Sequence, residues 1–326
     1  MKSKLFAFAK IAVTALLFLY IFKDIDFKQF GFTIKNARPD ILIFGFLTIW
    51  VAHYICVYRW RMLMRPLMPV LSMARLFGIY CIGLFFNLTL PTVVGGDVVK
   101  MYYAGRPSKL YAQSFAATFL DRDAGMLAML IIACAAILIH PIGVPGIPVS
   151  LIIWSVLAAF VAGNIAIFAP YFHRRLISLL HRLHMAKIAA KIDMISNAFQ
   201  VMGKHPMLLL GSLLISFVNQ LLVITVSWIM AIGLRLHVSP LWFFIFMPVI
   251  TLISMIPISL NGMGLREVAF KSLFGAIGVA PESCVALGLL SSIVIILSSL
   301  PGGIVYIFLR NRNDFQQLAA IETEFS

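Results

Sequence analysis

Apolar residues gather along this chain into eight stretches: Leu5 to Phe22, Asp40 to Tyr58, Leu76 to Leu90, Tyr111 to Ile139, Val149 to Ala169, Met207 to Leu234, Leu241 to Pro257 and Ser283 to Leu309. Most reach the roughly 20 residues that a helix needs to cross the hydrocarbon of a bilayer. The pattern predicts an all-α polytopic membrane protein. Residues 1–326 form a single integral membrane domain, and the short connections leave no room for a separate soluble enzyme.

Two stretches are interrupted. Pro91, Gly95, Gly96 and Asp97 follow the end of the third, and Pro257 closes the seventh, with Asn261, Gly262, Gly264, Arg266 and Glu267 following it. Proline removes a backbone donor, and an unpaired backbone group in lipid is costly unless protein or trapped water satisfies it. Broken, charged backbone at membrane depth therefore predicts a cavity. The connectivity closes when these two segments are read as re-entrant helical hairpins from opposite faces, leaving six full spans. Pro91 and Pro257 lie 166 positions apart, and Pro39 and Pro206, each opening a stretch, lie 167 apart. Two such offsets suggest an inverted repeat with halves of about 1–139 and 149–310, the arrangement of transporters with a site at the repeat interface.

Charge sets the orientation. The chain is 62% hydrophobic and 12% charged, with a formal net charge of +14. The basic residues concentrate at Lys2 and Lys4, Arg59 to Arg75, Lys100 to Lys109, Arg174 to Lys204, and Arg310 with Arg312. With both termini cytoplasmic these clusters fall on one side, which is the positive-inside pattern of a multi-pass protein of the cytoplasmic (inner) membrane. The excess favours anionic lipid at that surface and does not indicate nucleic acid. Residues 171–206 carry apolar positions at helical spacing and predict an amphipathic connector, lying on the inner membrane surface or packed on the bundle. Residues 311–326 read as a cytoplasmic tail. The N-terminal run is too long for a secretory leader and has no small-residue cleavage site, so it is read as a retained first span.

Of the 12 acidic residues, Asp97, Asp121, Asp123 and Glu267 fall within membrane segments. An ionised group at bilayer centre costs at least about 2.5 kcal/mol, so each must face protein or water. Arg122 needs a partner, with Asp97 and Glu267 as candidates. Either these charges bind substrate or they form a structural ion pair between hairpin and span. Lys100, Arg122 and Arg266 are the cations nearest the breaks and suit a phosphate-bearing headgroup, which arginine can hold through two parallel hydrogen bonds. Gly95, Gly96, Gly262 and Gly264 permit tight turns and close approach to exposed amides. Cys56, Cys81, Cys134 and Cys284 sit singly in apolar stretches, and the histidines form no ligand pair, so neither a metal nor a cofactor is expected. Asp121 and Asp123 have the spacing of sugar-nucleotide enzymes but lie inside a span. Pro301, Gly302 and Gly303 suggest a kink in the last span.

Taken in order, Pro91, Gly96-Asp97, Lys100-x-Tyr102, Asp121-Arg122-x-x-Gly125, and Pro257 with Asn261-Gly262-x-Gly264-x-Arg266-Glu267 resemble the flippase-like transmembrane region of the lysylphosphatidylglycerol synthetase family. The resemblance spans about residues 5 to 310, and Gly-x-Gly-x-Arg-Glu is its most specific part. It implies a membrane region that moves a polar-headed lipid between leaflets. In the full synthetase a cytoplasmic aminoacyl transferase follows; this chain ends at Ser326, so lipid aminoacylation is not expected of it. Asp121 stands where many relatives carry glutamate, which keeps the charge.

The expectation is a lipid translocase without covalent chemistry. It would take the phosphate of an anionic or glycosylated headgroup on Arg122 and Arg266, with Asp97 and Glu267 holding those arginines or taking up a coupling proton. Two other readings stand beside it. One is an intramembrane transferase using a polyprenyl-phosphate donor at Asp24 or Asp26, and the other is a scaffold subunit for a lipid-modifying enzyme.

Overall fold

The computed structural model describes residues 2–23, 25–90, 95–139, 148–168 and 186–309. They form twelve helices: α1 (Lys2–Phe22), α2 (Phe27–Lys35), α3 (Pro39–Met64), α4 (Met73–Thr89), α5 (Gly95–Gly105), α6 (Tyr111–Ile139), α7 (Val149–Phe168), α8 (Ala186–Gly203), α9 (Pro206–Gly233), α10 (Pro240–Ser254), α11 (Leu265–Gly275) and α12 (Pro281–Leu309). Helices α3, α9 and α10 each carry proline in the first turn, where its missing N–H has no intrahelical partner to lose. Among the described residues, Pro39–Met64, Tyr111–Ile139, Pro206–Gly233 and Pro281–Phe308 are long and apolar enough to cross a membrane; Lys10–Phe22, Met73–Thr89, Val149–Ile165 and Pro240–Ser254 are shorter apolar helices. The chain is a multi-pass membrane protein.

Each interrupted stretch holds a helix and a second, shorter helix packed back on the first, α4 with α5 and α10 with α11; residues 91–94, between the first two, lie outside the described residues. The helices around the first break have 17 and 11 residues and are followed by one of 29. Around the second break the same order runs 15, 11 and 29. Packing crosses between these groups, since α4 lies against α12, α10 against α6, and α3 against α9. Among the described residues two large apolar cores result, beside a small one of Ile21, Ile25 and Val285. One gathers Trp60, Leu76, Tyr102 and Leu120 from α3 to α6; the other gathers Ile224, Phe246, Phe270 and Leu287 from α9 to α12.

The structure differs from the sequence reading at several points. Residues 27–35, in the connection between the first two apolar stretches, form α2, with the Asp26 carboxylate accepting from the Lys28 N–H at 2.8 Å as its N-cap. Helix α3 continues past Tyr58 to Met64 and carries Arg59 inside the bundle at 4% exposure, so Arg59 is not a loop cation. At Pro301, read as a kink in the last span, α12 continues as one helix from Pro281 to Leu309. A Cβ at Gly302 would stand 1.9 Å from the Cys81 carbonyl oxygen, so this glycine is needed where α12 and α4 touch. Of the connector 171–206, residues 171–185 lie outside the described residues. Its helix α8 packs on α6, with the Phe199 and Phe119 rings edge to face at 5.4 Å. The tail 311–326 and the loop residues 140–147 also lie outside the described residues.

Candidate functional site

The first break brings three helices together through charge. Asp97 lies in the first turn of α5, where the helix dipole favours a carboxylate. It accepts from Lys100 Nζ at 3.3 Å, and its other oxygen accepts from Arg122 Nη1 of α6. Lys100 is buried, with its ammonium 5.1 Å from the Trp60 ring and 5.1 Å from the Tyr80 ring. The same ammonium lies 4.0 Å from Asp121. Asp121 in turn accepts from Arg59 Nε at 2.7 Å, and Arg59 Nη1 donates to Ser216 of α9 at 2.7 Å. Asp123 points elsewhere and accepts from Asn164 of α7 at 3.0 Å. Successive residues on a helix diverge by about 100°, so Asp121, Arg122 and Asp123 serve three different neighbours.

The backbone at this break depends on small residues. Asn87 of α4 accepts from the Gly96 N–H at 2.9 Å, and a Cβ on Gly96 would lie 2.0 Å from the Gly83 carbonyl oxygen. Gly95 is buried beside it at the head of α5. Pro91 lies outside the described residues.

The second break is built differently. Asn261, Gly262 and Gly264 all have positive φ, at 48°, 75° and 82°, a region that glycine enters without strain and asparagine more readily than most residues. Glu267 is fully buried and holds the turn: Oε2 accepts from the Gly264 N–H at 2.6 Å, and Oε1 accepts from the Ser292 hydroxyl at 2.6 Å. Arg266 Nη1 donates to the same Ser292 oxygen at 3.0 Å. Thr14 of α1 accepts from the Leu260 N–H at 3.1 Å and so satisfies a broken-backbone amide from outside. Pro257 is exposed at the start of the break.

Between the two breaks lies a cavity of about 420 Å³. Asn87 and Arg122 line it from the first side, Asn261 and Arg266 from the second. Helices α3 and α9 close it with His53 and Asn219, among others, and α12 supplies Ser291, Ser298 and Ser299. Of the residues expected at the site, Arg122, Arg266 and Asn261 therefore meet at one cavity. Asp97, Lys100, Asp121, Asp123 and Glu267 are not among its lining residues: Asp97 pairs with Arg122, Glu267 shares Ser292 with Arg266, Lys100 and Asp121 pair with Asp97 and Arg59, and Asp123 accepts from Asn164. Among the described residues no group of His, Cys, Asp or Glu could hold a metal ion.

Sequence reasoning missed Arg59, Asn87, His53, Asn219 and Ser292. A lone polar residue in an apolar helix is the one signal that Asn87 and Asn219 carry. Arg59 was hidden by its neighbours Arg61 and Arg65, which make the end of α3 look like a loop.

No curated protein and no solved structure matches the chain. The family model described as the lysylphosphatidylglycerol synthase TM region matches residues 7–303. That match covers most of the chain, including the turn that sets Arg266 into the cavity and ties Glu267 to Gly264, so the chain belongs to the family of lysylphosphatidylglycerol synthase transmembrane regions, and its role lies in lipid-related membrane function.

Proposed function

We propose that the protein is a lipid translocase that moves a lipid with a phosphate-bearing headgroup between the leaflets of the cytoplasmic membrane, with no covalent step. The observation that carries this reading is that Arg122 and Arg266, one from each broken region, line a single cavity. The headgroup occupies that cavity, its phosphate meets the two guanidinium groups, and the acyl chains stay in lipid. Asp97 and Glu267 are positioning residues: the first pairs with Arg122, the second shares Ser292 with Arg266.

The same reading takes α4–α5 and α10–α11 as re-entrant hairpins from opposite faces, with six spans and both termini cytoplasmic. The recurring order of helix lengths and the reciprocal packing of α4 on α12 and α10 on α6 support an inverted repeat over about 1–139 and 149–310. The transferase reading has less support, because Asp26 is engaged as the α2 cap; Asp24 lies outside the described residues.

The test is leaflet exchange of acyl-labelled fluorescent phospholipids in proteoliposomes. Wild type is expected to exceed protein-free vesicles clearly, and Arg122→Ala and Arg266→Ala to fall towards them. Exchange by wild type no faster than by Arg122→Ala overturns the reading for those lipids.

A further inference from the structure

A second cavity, of about 670 Å³, lies against another face of α12 and shares no lining residue with the cavity between the breaks. Leu290 and Ile293 face it, whereas Ser291, Val294 and Ser298 of the same helix face the first cavity. Phe30 and Ile34 of α2, Leu42 of α3 and Leu234 at the end of α9 complete its wall. Helix α12 is thus the partition between two separate spaces.

The second cavity starts at a membrane surface. Helix α3 begins at Pro39 and α9 ends at Gly233, and the two ends are tied by the Arg38 N–H, which donates to the Gly233 carbonyl at 2.7 Å. Helix α12 begins at Pro281, and Glu282 beside it accepts from the Asp26 N–H at 3.4 Å, just ahead of α2. Helix α2 has no buried residue and exposes Phe27 and Phe32 beside Lys28 and Lys35, the make-up of a helix lying in the membrane interface. From this level the cavity follows one stripe of α12: Ala286, Leu289, Leu290 and Ile293 have the spacing of a single helix face. Ile293 stands about 18 Å along α12 from its first residue, at 1.5 Å per residue, which is past the middle of a hydrocarbon core roughly 30 Å thick.

Its chemistry is that of an amphiphile. Lys35 is the one polar side chain among the described lining residues. A buried water needs several polar partners, which this wall does not offer, so the deep part suits hydrocarbon and not solvent. Lys35 is exposed at the interface end, and among the described residues no carboxylate pairs with it; the nearby Asp40 is taken by Arg38 at 2.9 Å. The matching occupant is apolar along its length and anionic at one end.

We infer that this groove is a second lipid site, which holds one acyl chain of an anionic phospholipid between α2 and α12 with the lipid phosphate at Lys35. The site is independent of the translocase reading, because it lies outside the cavity between the breaks. A partner helix or a second copy of the chain fills an apolar groove too, but brings no terminal anion to Lys35.

The experiment uses the full chain in phosphatidylcholine vesicles with a trace of phosphatidylglycerol that carries a photoreactive diazirine midway along one acyl chain. Cross-linked residues are mapped by mass spectrometry after digestion. Labelling is expected to concentrate on Leu42, Leu289, Leu290 and Ile293, well above Leu47 and Leu214, which are more than half exposed and report boundary lipid. The same chain on phosphatidylcholine is expected to label these positions about two- to fivefold less, the effect of one interfacial cation, and Lys35→Gln to remove that difference. In Arg122→Ala and Arg266→Ala the labelling is expected to stay as in wild type. Groove labelling no higher than at Leu47 and Leu214 overturns the site, and equal labelling by the two lipids in wild type overturns its anionic occupant. Loss of labelling in both arginine variants assigns the lipid to the first cavity and overturns the inference. So does a cross-linked species of doubled mass joined through these α12 positions, which assigns the groove to a second copy.

Discussion

Arg59 and Asp121 stand 62 positions apart and bury a guanidinium and a carboxylate against each other at 2.7 Å. Removing one member of such a pair leaves the other charged, buried and unmatched, a loss of about 3–5 kcal/mol. The neighbours decide which loss is worse. Asp121 also lies 4.0 Å from Lys100, so without Arg59 it keeps a cation; without Asp121, Arg59 keeps Ser216 alone among the partners seen here. Asp121→Leu is therefore expected to lower thermal stability in detergent more than Arg59→Met, and the double variant to recover most of the loss. The opposite order of the single variants would contradict the geometry. At this scale part of the site could be read in the sequence. Arg122 at membrane depth demanded a carboxylate, and Asp97 is that partner. Glu267, a candidate partner for the arginines or site of a coupling proton, instead holds the turn: Gly264 and Glu267 have capping-box spacing, and its carboxylate accepts from the Gly264 N–H. Ser292 gave no signal, because serine inside an apolar helix usually bonds its own backbone.

The helices depend on contacts that no side chain can enter. At Gly302 an added Cβ would meet backbone at 1.9 Å, whereas at Gly31 in α2 it would meet nothing within 4 Å. Gly302→Ala is expected to push α12 off α4 and to cost about 1–3 kcal/mol, the usual range for overpacking, measured as thermal stability in detergent. Gly31→Ala serves as the control, and in a helix interior it is expected to stabilise by about 0.5–1 kcal/mol. A Gly302→Ala variant as stable as wild type would contradict the close crossing. Most helices were legible because apolar stretches of near-spanning length have few other solutions in lipid. The breaks were legible because Pro257 and the glycines stand out against that background. Helix α2 was not. At nine residues it is short, and its charged flanks, Lys28 and Lys35, look like those of a loop. The run Pro301, Gly302 and Gly303 carries a second meaning that its composition does not show: Gly302 is where α12 meets the backbone of α4.

For the molecule as a whole the proposed orientation can be tested at two turns. Lys109 follows α5 and Arg235 follows α9, both at positive φ near 58° and 59°. In a background without the four native cysteines, Lys109→Cys and Arg235→Cys are expected to react with a membrane-impermeant thiol reagent from opposite faces of sealed vesicles, Lys109→Cys from the cytoplasmic one. Labelling of both from the same face would refute the inverted arrangement.

The crossing at Gly302 also bears on how such a protein can move. Because α12 touches α4 backbone to backbone while α10 lies on α6, the mechanical units do not coincide with the two halves of the chain. Helix α4 is coupled to the last helix, and α10 to a helix of the first half. The cavity lies between these two interlocked pairs, with Tyr80 and Ser298 on one and Arg122 and Ser254 on the other. A motion that opened the cavity while keeping both contacts would part α4 and α12 from α6 and α10, bending at the bridging helices α5 and α11, and would draw Arg122 away from the α12 serines without dividing the chain at its midpoint.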